Sequence, residues 1–310
     1  MDSRAVASRD VPDPSHGLRT LPAHGLRTLP GVACGRDPRP LFCATGEDPG
    51  QLLMRLATWN INGLRARKDY FLRWVGERRP DVIALQELKV ADESFPHEII
   101  EAAGYTAATH GQKAWNGVAI VSRTSVEVTQ TGLPGQEEFG ARLLTATVED
   151  LSFTTVYCPN GKSLQHDDFP RKLTWFDDLI RHLRNRHAPD DPVMVCGDFN
   201  ICPAAIDSWD EARLGGQIFH TDEERARLAA LFDWGLHDLF RDVHPDVQAF
   251  SWWDYRGGAF HRKMGLRIDL ILATDAVARR VRHVEIDRDY RKKIEGLTPS
   301  DHAPVIVDLD

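Results

Sequence analysis

The sequence predicts an α/β protein in which two sheets pack face to face and helices cover their outer sides. Three observations lead to this prediction. From Met54 onwards the chain contains some ten strand patterns but few helix patterns. Several of the strands follow one another as hairpins, unlike the strict alternation of strand and helix in parallel-sheet folds. No linker interrupts residues 54–310, which we therefore assign to one domain.

The composition is that of a soluble globular protein, with 42% hydrophobic residues, 27% charged residues and a net charge of -8. No apolar run approaches the roughly 20 residues of a membrane helix, so we expect no membrane partner. The acidic charge argues against a general polyanion binder, although carboxylates that hold divalent cations also enter this tally. Five cysteines without metal spacing favour a reduced, cytoplasmic protein.

Residues 1–53 differ from the rest of the chain. They contain seven of the 18 prolines and two copies of a seven-residue segment, His16–Pro22 and His24–Pro30. Pro and Gly break the short apolar pieces, so this extension can hardly bury a core and we predict that it is disordered. A strand pattern begins at Met54 without preamble, which indicates that Met54 is the natural start of translation.

Each element after Met54 follows from its pattern. Apolar residues three and four apart, such as Phe71, Leu72 and Val75, indicate helices, and Thr221 with Glu224 forms a capping box. Strands appear as continuous apolar runs or as alternations such as RIDLILA. The predicted strands are 55–59, 81–86, one near 105, 118–122, 143–148, 153–157, 193–196, 249–254, 267–273, 281–286 and 304–309. The predicted helices are 68–79, one near 99, 169–187 and one that starts after 221.

Polar side chains stand at the ends of several predicted strands. In VMVCGDFN, residues 193–200, an apolar strand ends in Asp198 and Asn200, which point to the same side. Gly197 between strand and loop allows the backbone to approach a bound group closely. Each such residue alone is explained by a turn or a water-facing position. Their recurrence at strand ends of one domain indicates a shared site, which adds Asn60, Glu87, Tyr157, Asp269, Asp301 and His302.

These residue types suit metal-assisted hydrolysis of a phosphate ester. Glu87 is the best direct ligand for a hard cation such as Mg²⁺, because a lone carboxylate ends an apolar strand there. An Asp beside a His fixes the imidazole tautomer, and a buried Asp can take a proton from water. No Walker loop, GxSxG motif or Cys/His zinc spacing is present in the sequence.

Five motifs together resemble those of the exonuclease–endonuclease–phosphatase superfamily, and within it the exodeoxyribonuclease III branch of abasic-site endonucleases. They are WNINGLR at 59–65, LQE at 85–87, GDFN at 197–200, RID at 267–269 and SDH at 300–302. The resemblance spans residues 54–310. It implies a four-layered α/β sandwich with two mainly antiparallel sheets, and phosphodiester hydrolysis that depends on Mg²⁺ or Mn²⁺.

The resemblance also implies a role for each residue of the site. Glu87 would bind the metal, with Asn60 and Asp301 assisting. Asp198 would activate or orient the attacking water, and Asn200 would position the phosphate. By the same resemblance, Asp269 would pair with His302, which would contact the scissile phosphate, and Tyr157 would stabilise the phosphate or the leaving group.

The same resemblance favours duplex DNA as the substrate. Segment 250–256 resembles the one that packs against a flipped-out sugar, and Trp252 would wall a small apolar pocket that excludes an intact nucleotide. Basic loop residues would hold DNA phosphates without reading sequence. Lys89 is retained, although Leu88 replaces the threonine usual in the family. The DNA contacts expected on these grounds are Arg65, Lys89, Trp252, Leu266, Arg267 and Ile268.

The sequence thus predicts a monomeric DNA repair hydrolase. It would cut duplex DNA 5′ of abasic sites and remove nucleotides or blocking groups from 3′ ends. Two alternatives stay open: a phosphatase of a small phosphate ester that uses the same chemistry, and a catalytically inactive DNA-binding relative. The presence of Glu87, Asp198 and His302 argues against the inactive relative.

If Met54 is the natural start, the protein isolated from its own cells lacks the proline-rich extension. Mass spectrometry of the native N-terminus checks this expectation. A peptide that covers His16–Pro30 would refute it.

Overall fold

The computed structural model describes residues 53–310. The predicted disordered extension, residues 1–53, lies outside the described residues except for Leu53. Among the helices of residues 53–310, none combines the length and the apolar character that crossing a lipid bilayer demands. The described range contains twelve strands and seven α-helices.

The strands are β1 (Met54–Asn60), β2 (Val82–Gln86), β3 (Thr106–His110), β4 (Val118–Ser122), β5 (Glu127–Thr131), β6 (Leu143–Val148), β7 (Leu151–Tyr157), β8 (Val193–Asp198), β9 (Leu236–Asp238), β10 (Asp269–Thr274), β11 (Val281–Ile286) and β12 (Val305–Leu309). The helices are α1 (Leu64–Arg78), α2 (His97–Ala102), α3 (Asp168–Arg186), α4 (Glu211–Leu214), α5 (Asp222–Trp234), α6 (Leu239–Val243) and α7 (Asp275–Ala278).

The strands form two six-stranded sheets. Sheet 1 has the order β11-β12-β1-β2-β4-β3, and sheet 2 has the order β5-β6-β7-β8-β10-β9. Each sheet contains one parallel pair, β1–β2 in sheet 1 and β7–β8 in sheet 2, and its other pairs are antiparallel. A parallel pair requires a crossover connection, which α1 and α3 supply. The prediction of two mainly antiparallel sheets is confirmed.

The sheets face each other across a buried apolar core, and helices cover their outer sides. Side chains from both sheets form this inner core, among them Leu56, Ala84, Val307, Phe153, Met194 and Ile271. Helix α1 packs Trp74 against Trp59 of β1, with ring centroids 5.3 Å apart. Helix α3 packs Trp175 and Leu179 against sheet 2. The four-layered α/β sandwich is therefore confirmed.

Some predicted elements differ from those observed. Segment 249–254 is not a strand, because Trp252 forms only isolated bridges with Leu266 and His302. Helix α1 begins at Leu64, one turn before the predicted start, directly after Gly63 with its left-handed φ of 99°. Strands β5 and β9 were not predicted, because β5 is mostly exposed and lacks an apolar alternation, and β9 has three residues.

One edge of the sandwich collects the ends of strands from both sheets. In sheet 1, Asn60 at the end of β1 pairs with Gln86 at the end of β2. In sheet 2, Asp198 at the end of β8 lies between Tyr157 of β7 and Asp269 of β10. The pairing register therefore fixes which polar side chains meet at this edge.

We expect Phe153→Ala to lower the free energy of unfolding by about 3–5 kcal/mol, because it opens a cavity between the sheets. Phe153 is completely buried in the inner core. Val128→Ala on β5 is the control: Val128 is 44% exposed, so its truncation should change the free energy by about 0.5 kcal/mol or less. Urea unfolding measures both. Equal losses in the two variants would contradict the assigned core.

Candidate active site

The polar residues predicted from the strand ends lie together at this edge of the sandwich. Asn60 connects the two sheets: its Nδ2 donates to Glu87 Oε1 at 2.8 Å and to Asp198 Oδ2 at 2.9 Å. Its Oδ1 accepts from the backbone N–H of Asn62 at 3.0 Å, which sets the orientation of the carboxamide. As placed, Asn60 holds the two carboxylates in position with its nitrogen, and metal binding by its oxygen stays a prediction.

Four side chains of this edge stand on residues with left-handed backbone conformations. The φ angles are 47° at Asn62, 53° at Glu87, 56° at Lys89 and 50° at Asn200. Non-glycine residues adopt this conformation rarely, and it persists only where the surrounding structure determines it. The strands therefore end abruptly here, and each turn directs a polar group into the site.

Gly197 serves a different contact from the predicted one. A Cβ atom on Gly197 would lie 1.9 Å from the carbonyl oxygen of Val156 on the neighbouring strand β7. The glycine thus permits close approach of two parallel strands rather than approach of a bound group. Because Gly197 has no side chain, β8 approaches β7 closely enough for Asp198 to pair with Tyr157.

Asp269 and His302 form a buried ion pair. His302 Nδ1 lies 2.8 Å from Asp269 Oδ2, and His302 Nε2 lies 3.9 Å from Asp198 Oδ2. Burial by itself lowers the pKa of His302, but Asp269, and then Asp198, outweigh it and raise that pKa to about 10. The imidazole is therefore protonated at neutral pH, with Nδ1–H bound to Asp269 and Nε2–H directed towards Asp198.

Asp198 is 1% exposed and ends β8, directly before the turn that contains Asn200. Burial raises the pKa of Asp198, and the positive charge of His302 opposes this shift. Its Oδ1 accepts from the backbone N–H of Asn200 at 2.9 Å. The Asn200 carboxamide donates to the carbonyl of Cys158 at 3.0 Å and accepts from Asn160 Nδ2 at 3.2 Å. The two sheet-2 loops thus hold each other.

Tyr157 ends β7 beside Glu87. Burial raises the pKa of Tyr157 well above its ordinary value, and the nearby Glu87 carboxylate adds to the shift. The Arg142 guanidinium lies 4.6 Å from the centroid of the Tyr157 ring and donates to its backbone carbonyl at 3.1 Å. The phenol therefore stays protonated and can donate a hydrogen bond into the site.

The donor set fits a hard divalent cation. Glu87, Asp198 and His302 each offer an atom within 4.8 Å of the others. His302 is an unsuitable ligand because its ring is protonated, which leaves the carboxylates, and oxygen ligands are what Mg²⁺ or Mn²⁺ prefers. Lys89 Nζ lies 2.8 Å from Glu87 Oε2 and lowers the pKa of Glu87 against the opposing effect of burial. Glu87 is thus ionised and ready to bind a cation.

Asp301 lies beside this cluster and is held by two neighbours. Its Oδ1 accepts from Asn62 Nδ2 at 2.7 Å, and its Oδ2 accepts from Trp252 Nε1 at 3.1 Å. Burial raises the pKa of Asp301, but His302 and these hydrogen bonds lower it overall. Trp252 in turn lies 6.4 Å from the ring of His302. The predicted sugar-binding tryptophan therefore adjoins the polar site.

The residues predicted to contact DNA have different exposures. Arg65 is exposed, and Trp252 and Lys89 are half-buried at the site. Leu266 and Ile268 pack under Trp252 and are only 4% and 2% exposed, so Trp252 supplies most of the apolar surface. Contacts of these five residues with DNA stay predictions.

Arg267 was predicted to contact DNA, and the structure contradicts this. Arg267 is 1% exposed, and its guanidinium binds Asp207 at 2.6 Å and Asp238 at 2.8 Å. Its Nε, Nη1 and Nη2 all donate to these carboxylates, and the buried guanidinium is not accessible to a DNA phosphate. Its closeness in sequence to Arg262 and Lys263 made it look like part of a cluster of basic loop residues.

Three residues support the site without having been predicted. Ser251 Oγ accepts from the backbone N–H of Asp269 at 3.0 Å. Asn62 bridges Lys89 and Asp301. Arg291 is 7% exposed and donates to the carbonyls of Asp301 and Trp253. Asn62 shares the strand end of Asn60, which was a usable clue. Arg291 stands in a basic run with Lys292 and Lys293, which predicts a phosphate contact rather than this buried supporting role, and nothing local distinguishes Ser251.

Comparisons with known proteins agree with this geometry. Residues 57–302 match the Endonuclease/Exonuclease/phosphatase family. The chain is 40% identical to exodeoxyribonuclease III of Haemophilus influenzae over 265 residues, which cover 81% of this chain and 98% of that protein. Among solved structures, a variant of the 3′ phosphatase NExo from Neisseria, bound to a product DNA hairpin, is similar with a TM-score of 0.79, 37% identity and coverage of 83% of this chain and 99% of the other. An AP endonuclease from Archaeoglobus fulgidus has a TM-score of 0.79, 30% identity and coverage of 83% and 99%.

We expect His302 to remain protonated above pH 8 in the protein without added metal. The substitution Asp269→Asn should lower the pKa of His302, because it removes the carboxylate that raises this pKa. Because the folded-state pKa is raised above the ordinary 6.5, the stabilisation from this pair is complete below about pH 6.5. It is lost as the pH rises towards 10. Nitrogen-detected NMR titration of the imidazole measures the pKa, and urea unfolding between pH 6 and pH 10 measures the stability. An imidazole that titrates near 6.5 in the wild-type protein would contradict the ion pair.

Proposed function

The chain belongs to the endonuclease/exonuclease/phosphatase family, and from this premise we propose that it is a metal-dependent DNA repair nuclease that cuts duplex DNA 5′ of abasic sites. The proposal includes exonuclease action from 3′ ends and removal of groups that block them. It assigns catalysis to residues 54–310 of a monomer, Mg²⁺ or Mn²⁺ as the cation, and a cytoplasmic location. Exodeoxyribonuclease III from Haemophilus influenzae and the AP endonuclease from Archaeoglobus fulgidus support it by their similarity.

The observation that carries the proposal is the meeting of Glu87, Asp198 and the His302–Asp269 pair at one edge. Asp198 and Asp269 are 1% exposed and His302 is 4% exposed. Removing this many ionisable groups from water is costly and has no benefit for packing. Such clusters are characteristic of sites that handle protons and charged substrates. Phosphodiester hydrolysis requires both a proton transfer and the binding of a charged substrate.

Asp198 is the residue that we assign to the attacking water. Its pKa is raised by burial, which brings its basicity closer to what proton abstraction near neutral pH requires. His302 faces the same carboxylate through Nε2–H. From there the charged imidazole donates to a non-bridging phosphate oxygen, and Asp269 keeps the ring protonated and oriented.

Asn200 and Tyr157 act on the phosphate from sheet 2. The Asn200 carboxamide is oriented by Cys158 and Asn160 and positions the phosphate. The Tyr157 hydroxyl, whose pKa is raised, stabilises the phosphate or the leaving oxygen by donating a hydrogen bond. Glu87, assisted by Asp301 and Asn60, would hold the cation. A bound divalent cation supplies Lewis-acid stabilisation of charge on the phosphate.

Trp252 supports an abasic site as the target. Its indole ring lies beside His302 and over Leu266 and Ile268, so an extruded sugar would place its phosphate at the polar groups. A sugar without a base costs less to extrude than a paired nucleotide. Arg65 and Lys89 flank the site and would hold backbone phosphates. With a net charge of -8, we expect DNA binding that depends on few phosphate contacts and weakens with salt.

A phosphatase of a small phosphate ester remains the rival with the same chemistry. The Neisseria structure is described as a 3′ phosphatase bound to a DNA hairpin, which supports a DNA end rather than a free metabolite as the source of the ester. A duplex substrate also gives a role to the apolar surface of Trp252 and to the basic side chains of Arg65 and Lys89. A small ester would use neither.

We expect the protein to nick a duplex with one synthetic abasic site in Mg²⁺ and not in EDTA. Asp198→Asn should lower the cleavage rate about 10²- to 10⁴-fold, because it removes the proton acceptor. Asp308→Asn is the control: Asp308 is also buried, but it binds Arg55, and it pairs with Arg55 at the end of β1 that lies opposite to Asn60 and the site. Gel analysis of end-labelled DNA measures both rates.

Absence of nicking under either condition would refute the repair function. Cleavage by Asp198→Asn at the wild-type rate would refute the assignment of Asp198. A parallel assay with a duplex that ends in a 3′-phosphate and with a free sugar phosphate separates the nuclease from the rival, because only the rival should prefer the free ester.

A further inference from the structure

Lys172 is a completely buried cation in helix α3, below the loops of sheet 2. Its side chain is 0% exposed. Its ammonium nitrogen lies 2.7 Å from the carbonyl oxygen of Asn200, 3.3 Å from that of Asn160 and 2.5 Å from Glu224 Oε1. An ammonium group has three N–H donors, and these three acceptors use all of them.

The three acceptors come from three different parts of the fold. Asn160 follows β7, Asn200 follows β8 and Glu224 lies in the first turn of α5. No other hydrogen bond to the carbonyl oxygen of Asn160 or Asn200 occurs within residues 53–310. Lys172 therefore supplies the partner that each of these two carbonyls needs, and ties both loops to the helices behind them.

Glu224 is itself fixed from several directions. Its Oε2 accepts from the backbone N–H and the hydroxyl of Thr221, and its Oε1 accepts from the backbone N–H of Phe219. The capping box that starts α5 thus also anchors the partner of Lys172. The ammonium group has little freedom to move, because the carboxylate that holds it is held in turn.

A second ion pair also joins α3 to α5, and it differs from the pair of Lys172 and Glu224 in its contacts with the loops. Arg227 of α5 binds Asp177 of α3 through two contacts of 3.1 Å at the protein surface. That pair contacts neither loop. A surface ion pair thus also joins α3 to α5, and replacement of a buried ion pair by apolar residues of similar volume is often neutral or stabilising. The ammonium group of Lys172 is explained by the carbonyls that it binds.

We propose that Lys172 is a positioning residue that sets the carboxamide of Asn200 in the active site. It holds the backbone carbonyl of Asn200, a residue in the left-handed conformation whose φ is 50°, and through Asn160 it holds the side chain that donates to the Asn200 carboxamide. The inference rests on the proposed function, since Asn200 is assigned there to the phosphate. A displacement of about 1 Å at such a residue is enough to slow a reaction roughly 10²-fold.

The test is a double-mutant cycle with Lys172→Met and Asn200→Ala, in which each variant cleaves a duplex with one synthetic abasic site under single-turnover conditions. We expect Lys172→Met to lower the cleavage rate constant at least tenfold while binding of the duplex changes less than about twofold. In the Asn200→Ala background, the same substitution should change the rate constant less than about twofold, because its effect passes through Asn200.

Arg227→Met is the matched control, because it removes the other ion pair between α3 and α5. We expect it to leave the rate constant unchanged. An equal loss in Arg227→Met, or a Lys172→Met effect that persists undiminished in the Asn200→Ala background, would overturn the positioning role. Lack of cleavage by the wild-type protein would instead overturn the proposed function.

Lys172→Met leaves Glu224 without its cation, and the variant is used only if its circular dichroism and melting transition show a folded protein. If it does not fold, Glu224→Gln replaces it, since the amide keeps the acceptor for Thr221 and loses the charge that fixes Lys172. The same pattern is expected with a smaller amplitude: a slower rate in the wild-type background and no further change with Asn200→Ala. Additive effects would overturn the proposal here too.

Discussion

The ion pair between His302 and Asp269 is the interaction on which the arrangement of the site depends. Asp198, Asp269 and Glu87 bring three carboxylates to one largely buried edge, where their mutual repulsion and the loss of water both favour neutral forms. The protonated imidazole of His302 binds one of them at 2.8 Å and faces a second at 3.9 Å. The carboxamide of Asn60 donates hydrogen bonds to Glu87 and Asp198, and the ammonium group of Lys89 binds Glu87. Two cations and one carboxamide thus offset part of the negative charge of the edge before any substrate arrives.

The parts of the structure that depend on local pattern were predictable from the sequence. Continuous apolar runs and alternations identified the strands, and the polar residues that end them, such as Glu87 and Asp198, identified the edge where they meet. The reason is geometric, because the carboxyl ends of parallel neighbours lie at the same side of a sheet. The exposed edge strand β5 and the three-residue β9 escaped prediction because they have no apolar period to detect.

The supporting interactions were not predictable, because their partners lie far away along the chain. Arg267 looks like a loop cation, yet it pairs with Asp207 and Asp238, 60 and 29 residues away. Lys172 reads as a surface lysine of an amphipathic helix until Glu224 and the two loop carbonyls are placed around it. Gly197 was predicted to let the backbone approach a bound group, whereas the atom that its missing Cβ would meet is the backbone carbonyl of Val156 on β7. The sequence shows the polar residues at the strand ends, but it does not show the distant residues that hold them in place.

The pairing of β1 with β12 has a consequence for how the protein is made. Strand β12 lies between β11 and β1 in sheet 1, so the first and last strands of the domain are neighbours. Synthesis proceeds from the N-terminus, and β1 leaves the ribosome some 250 residues before its partner. Until residues 302–309 emerge, the edge lacks His302 and sheet 1 has an open slot beside β1. The pair between His302 and Asp269 can therefore form only after nearly all of the domain has been synthesised, at the stage when β12 joins sheet 1.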